Sequence, residues 1–377
     1  MVQFIDLASQ YKKLKEDIDA NIYKVLNHGK YIMGPEVAEL ESRLAEYVGV
    51  KHCISCSNGT DALIMPLMAW GIGAGDAVFT TPFTFIATAE VLSLVGATPV
   101  FVDIDPDTYN LDPDRLEETI HKVMEEGRLK PKAIIPVDLF GLPADYDKIS
   151  KIANRYGLKV LEDAAQGFGG VNKDRRAGSF GDAAGTSFFP AKPLGCYGDG
   201  GAIFTNDDDL VDVLKSIRVH GQGSDKYDNV RVGLNARLDT IQAAILLPKL
   251  KAFAEYELAA RNRFAEMYTQ GLCSIVKTPL VPEGLVSSWA QYSVLARNGR
   301  ERSDLQEKLK VAGVPTMVYY SKPLHLQTAY AGLGYAKGDF PVSEDVSSRV
   351  FSLPMHPYME EKVIELVVKT ISEWHNG

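Results

Sequence analysis

In Ser187-Phe188-Phe189-Pro190-Ala191-Lys192-Pro193-Leu194-Gly195 a single lysine sits in an apolar, proline-bounded setting, and the glycine-rich run Gly198-Asp199-Gly200-Gly201 follows. Upstream, the apolar stretch Val160-Leu161-Glu162 ends on Asp163, with Ala164-Ala165-Gln166 next. A sheltered lysine amine can form a Schiff base with an aldehyde. A carboxylate at a strand end can keep a pyridine nitrogen protonated, so that the ring takes up the electron pair of a broken bond. The two together suit pyridoxal phosphate (PLP). Alone, neither residue says much, because most lysines lie at the surface and a strand-end aspartate is commonly a cap. The pairing carries the reading, provided the chain also offers a place for the phosphate.

Ser57-Asn58-Gly59-Thr60-Asp61-Ala62-Leu63 is that place: it follows a short apolar strand and opens a helix. Gly59 lets the backbone approach an anion closely, and a helix N-terminus presents unpaired N–H groups and a positive dipole end. Thr60 and Ser187 add hydroxyl donors. Asn-Gly-Thr is also an ordinary turn, so the segment gains meaning only beside Asp163 and Lys192. Thr81-Pro82-Phe83-Thr84-Phe85 brings an aromatic to another strand end. Phe85 there either covers a pyridine face or, as most aromatics do, joins the core. Gln166, just past Asp163, is placed to donate a hydrogen bond to the cofactor's phenolic oxygen.

These residues lie in a chain of 377 residues, a length that suggests about two domains. Its net charge of -9 argues against nucleic acid as a partner while leaving room for a local cationic pocket. There is no apolar run of membrane-spanning length and no signal-peptide pattern, which points to the cytoplasm and away from a membrane partner. The four cysteines do not make a disulfide framework. Cys53-Ile54-Ser55-Cys56 has the spacing of a redox or zinc pair, yet no second ligand pair accompanies it and its alternation reads as a buried strand, so no metal site is expected. Cys196 reads as a small residue packed in a tight turn.

The elements that must position these residues follow from hydrophobic patterning. Gly34-Pro35 followed by Val37, Leu40, Leu44 and Val48 predicts an amphipathic helix with proline in its first turn and Gly49 past its end. Short apolar runs at 53–56, 77–81, 99–104, 133–137, 159–162, 185–188 and 202–205 alternate with helical stretches. That alternation predicts an α/β fold whose mainly parallel sheet is flanked by helices on both faces. Ligands of such sheets gather at the carboxyl ends of the strands, where Ser57, Asp163 and Ser187 fall. Beyond residue 250 a long helical stretch over 251–272, a Pro-rich join at 278–282, a strand-like 291–297 and helices over 302–312 and 362–374 predict a smaller α+β domain. The expected division is 1–250 and 251–377.

Asn58-Gly59-Thr60-Asp61-Ala62-Leu63, Glu162-Asp163-Ala164-Ala165-Gln166, Ser187-Phe188 with Lys192, Gly200-Gly201 and Gly233-Leu234-Asn235-Ala236-Arg237-Leu238 resemble, in order and spacing, the DegT/StrS family of sugar-nucleotide aminotransferases. The resemblance runs from Phe4-Ile5-Asp6-Leu7 to Leu353-Pro354-Met355-His356. It implies PLP fold type I, with PLP on Lys192, Asp163 at the pyridine nitrogen, Gln166 at the ring oxygen, Gly59, Thr60 and Ser187 at the phosphate, and Phe85 over the ring. It implies a homodimer with shared sites, Asn235 reaching the partner's phosphate, and L-glutamate as amino donor with 2-oxoglutarate released. Ser187–Gly201 and Leu353–Tyr358 look most like members that aminate a UDP-linked 3-oxo-glucuronate for surface polysaccharide such as O-antigen. Arg237, His220, Tyr319, Tyr320 and His325 are then expected at the sugar. The rival substrates are dTDP- or GDP-keto-6-deoxyhexoses, and a rival of another class is a PLP-binding regulator without turnover. The chain departs from the family pattern at Asp199, where many members carry glutamate, at Phe85, more often tryptophan or tyrosine, and at Tyr319-Tyr320, where His-Tyr is expected.

Overall fold

The computed structural model describes residues 2–225 and 227–376. The seven short apolar runs form one sheet: β1 (His52–Cys56), β2 (Asp76–Thr80), β3 (Thr98–Phe101), β4 (Lys130–Ile135), β5 (Lys159–Asp163), β8 (Ala183–Ser187) and β9 (Gly201–Thr205), while β6 (Val171–Asn172) pairs separately with both β7 (Arg175–Arg176) and β10 (Leu285–Val286). The order is β1-β9-β8-β5-β4-β2-β3. All neighbours pair parallel except β9, which runs antiparallel to both β1 and β8. The expected mainly parallel sheet is the one observed.

Alternation along the strands explains why the runs read as continuously apolar. Leu161 and Ile203 face one layer with Leu63 and Leu214, from the helices α3 (Gly59–Ala69) and α7 (Asp208–Arg218). Val160 and Ile134 face the opposite layer with Ile120 and Ile149, from the helices α5 (Pro113–Glu126) and α6 (Tyr146–Tyr156). Both faces are covered, so odd and even residues alike are buried, each large aliphatic contributing roughly 1.5–3 kcal/mol. Near β1 and β9, the helix α2 (Pro35–Val48) packs Val37, Leu40 and Leu44 against Cys53 and Phe204. Its proline sits at the first turn, and Gly49 ends it with a left-handed φ of 84° and an N–H donated to the Ala45 carbonyl, as the sequence predicts.

A second core joins the antiparallel pair β11 (Tyr292–Leu295) and β12 (Val350–Leu353) with α9 (Leu258–Leu272), α10 (Gly299–Val311) and α12 (Glu361–Asn376). The expected division at residue 250 falls inside a helical run. Helix α8 (Thr240–Ala252) passes through a π-helical turn at Phe253–Glu257 directly into α9. Leu250, Phe253 and Leu258 pack on the large sheet's side, whereas Phe264 and Tyr268 lie in the second core. The amino-terminal segment returns to that second core too: Val2 packs on it and the Phe4 carbonyl accepts from Met355 N. Among the described residues no helix is long and apolar enough to cross a membrane.

Candidate active site

The cradle is built where α3 begins. Asn58 is its N-cap, extended at φ -168°, and its side-chain oxygen accepts from Asp61 N at 2.8 Å. The same Asp61 carboxylate takes the Ser57 hydroxyl and the Asn58 amide, which fixes the turn. Two glycines set the spacing. A Cβ on Gly59 would lie 2.7 Å from Ser187 Cβ, and one on Gly201 would lie 2.4 Å from the Asn58 carbonyl. Gly201 stands opposite both Cys56 and Ser187, at the ends of β1 and β8. Thr60 lies in the first turn of α3, so its N–H and hydroxyl accompany Gly59 and Ser187 at one helix N-terminus.

Asp163 closes β5, opposite Gly185 of β8, and is 4 % exposed. Its Oδ2 accepts from the Thr88 hydroxyl at 2.8 Å and its Oδ1 from Ala165 N at 3.1 Å. Burial pushes its carboxyl above the usual range, and the Thr88 and Ala165 donors and the Lys192 charge pull against that. Lys192, half-buried in the turn after β8, has its amine pushed below an ordinary lysine by desolvation, with Asp163 opposing. Gln166 is buried; its Oε1 accepts from Phe140 N at 2.9 Å and its Nε2 donates to the Tyr320 hydroxyl at 3.2 Å. Phe85 is 54 % exposed, its ring 6.5 Å from that of Tyr320. It has not joined the core. Asp163, Lys192, Gln166, Phe85 and Tyr320 thus converge at the carboxyl end of the sheet.

Ser57 N donates to the Ala236 carbonyl, which ties the cradle to the exposed segment holding Asn235 and Arg237. Asn235 bridges Val219, beside His220, whose N–H donates to Leu234. His220 and Asn235 are exposed and Arg237 is half-buried, so these three lie at the chain's outer surface. Tyr319 packs its ring 5.8 Å from Tyr320 and 6.4 Å from Phe4. His325 does not join the site. At 2 % exposure it lies against Phe340, with Nε2 3.1 Å from a Glu344 carboxylate oxygen, and this enclosure leaves no face for a sugar. The expectation that His325 meets the sugar from the smaller domain is corrected by this burial. Thr88, by contrast, was missed: a threonine in the first turn of the helix Ala87–Leu94 carries no motif, and only the fold brings its hydroxyl to Asp163.

The residues present fit PLP. They offer a cradle whose glycines exclude any Cβ, a buried carboxylate, an amine with lowered proton affinity and an exposed ring over the opening. The sequence profile of the DegT/DnrJ/EryC1/StrS aminotransferase family matches residues 12–372. The chain is 51 % identical over 373 residues to the UDP-2-acetamido-2-deoxy-3-oxo-D-glucuronate aminotransferase of Pseudomonas aeruginosa, covering 99 % of this chain and 100 % of that protein. A solved DegT/DnrJ/EryC1/StrS aminotransferase from Brucella abortus superposes with a TM-score of 0.97 at 54 % identity, over 100 % of both chains. NtdA from Bacillus subtilis, solved with bound cofactor PMP, superposes with a TM-score of 0.89 at 31 % identity, over 99 % of this chain and 83 % of that one.

Proposed function

The chain belongs to the DegT/DnrJ/EryC1/StrS family of PLP-dependent aminotransferases, and we propose that it moves the amino group of L-glutamate to C3 of UDP-2-acetamido-2-deoxy-3-oxo-D-glucuronate. The observation that carries this substrate is the full-length 51 % identity to the Pseudomonas aeruginosa enzyme named for it. Surface polysaccharide such as O-antigen is the destination that substrate suggests, and the cytoplasm is where nucleotide-linked sugars of this kind would be met.

When bound, PLP supplies the aldehyde carbon that carries the amino group between donor and acceptor, and the electron sink for the pair left behind. Asp163 would hold the pyridine nitrogen protonated; its buried carboxylate is kept in place by Thr88 and Ala165. Gln166 Nε2 would hold the ring oxygen, Phe85 would cover one ring face, and Gly59, Thr60 and Ser187 would hold the phosphate. Lys192 would anchor the cofactor and, once its amine is free, would take the proton from Cα of the donor and deliver it on the same face to the former aldehyde carbon. Its depressed proton affinity suits both duties. The site is shared in a homodimer: exposed Asn235 reaches the partner's phosphate, and a fully active single chain in sedimentation would overturn that.

Arg237 follows Asn235 and has no ion-pair partner among the described residues, so its guanidinium is available to hold the uronate carboxylate by two parallel hydrogen bonds. Tyr319, Tyr320 and His220 would line the sugar's approach. The test compares kcat/KM for the UDP-3-oxo-uronate and for a neutral dTDP-keto-6-deoxyhexose, in wild type and in Arg237→Lys. Loss of the bidentate geometry should cost roughly 1–3 kcal/mol for the uronate and much less for the neutral sugar. A wild type that prefers the neutral sugar would overturn the substrate assignment, and equal losses would make Arg237 structural.

A further inference from the structure

Beneath the site lie two carboxyl groups that the amino-transfer chemistry does not use. Asp138 and Glu162 are both fully enclosed, 0 % exposed, and come from neighbouring strand ends, where Val137 bridges Asp163, so that each acts on the other's charge. Each is otherwise held by donors. Asp138 Oδ1 accepts from Ala144 N at 3.1 Å and the Tyr146 hydroxyl at 2.8 Å. Glu162 accepts from Gly178 N with one oxygen and from Phe180 N, at 2.8 Å, with the other. Asp138 Oδ2 has no donor among the described residues. A buried acceptor without a donor is costly, and two enclosed carboxylates side by side repel. The groups that act on the pair are Tyr146 from α6 and Arg175 from β7, and Asp163, next along β5, acts on Tyr146. Of these only Arg175 is a cation, and it is exposed, lying over the Phe180 ring at 5.1 Å.

We propose that Asp138 stays un-ionised and donates its carboxyl proton to the Glu162 carboxylate, and that this pair is the positioning device for Asp163 and Gln166. The proton turns the orphan Oδ2 into a donor and removes one of the two charges. Glu162 keeps the charge because two backbone N–H groups already favour it there, while burial pushes both acids upward. The consequence for the site runs through the backbone. Asp138 N donates to the Asp163 carbonyl at 3.1 Å, and the turn that Asp138 holds presents Phe140 N to Gln166 Oε1. Gly167, next to Gln166, lies so close that a Cβ there would be 2.4 Å from Asp138 Oδ2. The roles of Asp163 and Gln166 rest on the proposed function; the proton itself does not, and the apoprotein reports it.

Asparagine can take Asp138's place, accepting from Ala144 and Tyr146 and donating through Nδ2 to Glu162, but alanine cannot. In the unfolded chain an aspartate loses its proton near pH 4, while native Asp138 keeps its own. At this group the native state then binds more protons than the unfolded one, so the contribution of Asp138 to wild-type stability falls as pH rises between about pH 5 and pH 8. Asp138→Asn lacks that contribution. Its folding equilibrium constant, measured on apoprotein by denaturant titration, should gain on the wild type about tenfold per pH unit across that window. Infrared difference spectra of the two apoproteins at neutral pH should show the carbonyl stretch of an un-ionised acid only in the wild type. Parallel stability curves or no such band would overturn the proton. In the holoenzyme Asp138→Asn should retain at least tenfold more turnover than Asp138→Ala; equal turnover in the two variants would overturn the positioning role.

Discussion

Asp163 and Lys192 depend on each other for their charges. Burial alone drives the acid toward its neutral form and the amine toward losing its proton, and each is drawn back by the other's charge. Thr88 and Ala165 add donors on Asp163 that hold the carboxylate with or without the cofactor. Asp163→Asn keeps the shape and can still accept from Thr88, so the protein should fold and bind PLP. Without the charge the pyridine nitrogen is not kept protonated, and kcat should fall about a hundredfold or more, the scale on which one preorganised electrostatic contact matters. Turnover within about threefold of wild type, measured at saturating substrates, would remove Asp163 from the mechanism. At this scale the sequence is legible where residue type and strand position coincide, as at Asp163, Lys192 and Gln166. It misleads at His325, because a place in the smaller domain does not tell whether a side chain faces the opening or, as here, is enclosed beside Glu344 and Phe340. Thr88 fails to announce itself for the converse reason.

The strands of the large sheet were legible, because a strand covered on both faces leaves a short uninterrupted apolar run between helical stretches. The run at 185–188 becomes β8 at Ala183–Ser187, and the run at 159–162 becomes β5 ending on Asp163. What patterning does not carry is strand direction: β9 is antiparallel, and in the sequence it looks like its parallel neighbours. That reversal is what sets Gly201 between β1 and β8, under the cradle. The close approach of α3 to β8 can be tested at Gly59. An added Cβ at 2.7 Å from Ser187 Cβ must push the start of α3 away from the strand end. Gly59→Ala should weaken PLP binding by roughly 1–3 kcal/mol, the range for overpacking a tight contact. Gly332→Ala, where no atom lies within 4 Å, serves as the control. Equal affinity in both variants, titrated on apoprotein, would show that the cradle tolerates the displacement.

Across the whole molecule the site depends on a sheet, a helix layer and a second core that one continuous helical run joins. The sequence shows that a second core exists but not where the first one ends. An apolar stripe that leaves one core and enters another at the π-helical turn Phe253–Glu257 has no break in its period. The amino-terminal segment packing on the carboxyl-terminal core was likewise illegible, since nothing local in Val2 or Phe4 names its partner. With the net charge at -9, binding of anionic groups must come from a few local groups, the role proposed for the cradle at the cofactor phosphate and for Arg237 at the uronate carboxylate. The central claim is that one nitrogen atom passes from glutamate to a keto sugar through the cofactor, with Lys192 moving the proton. The holoenzyme, given L-glutamate labelled with heavy nitrogen and UDP-2-acetamido-2-deoxy-3-oxo-D-glucuronate, should yield a 3-amino sugar carrying the label by mass spectrometry. Lys192→Ala should yield none. An unlabelled product, or the same labelled yield from Lys192→Ala, would contradict the account.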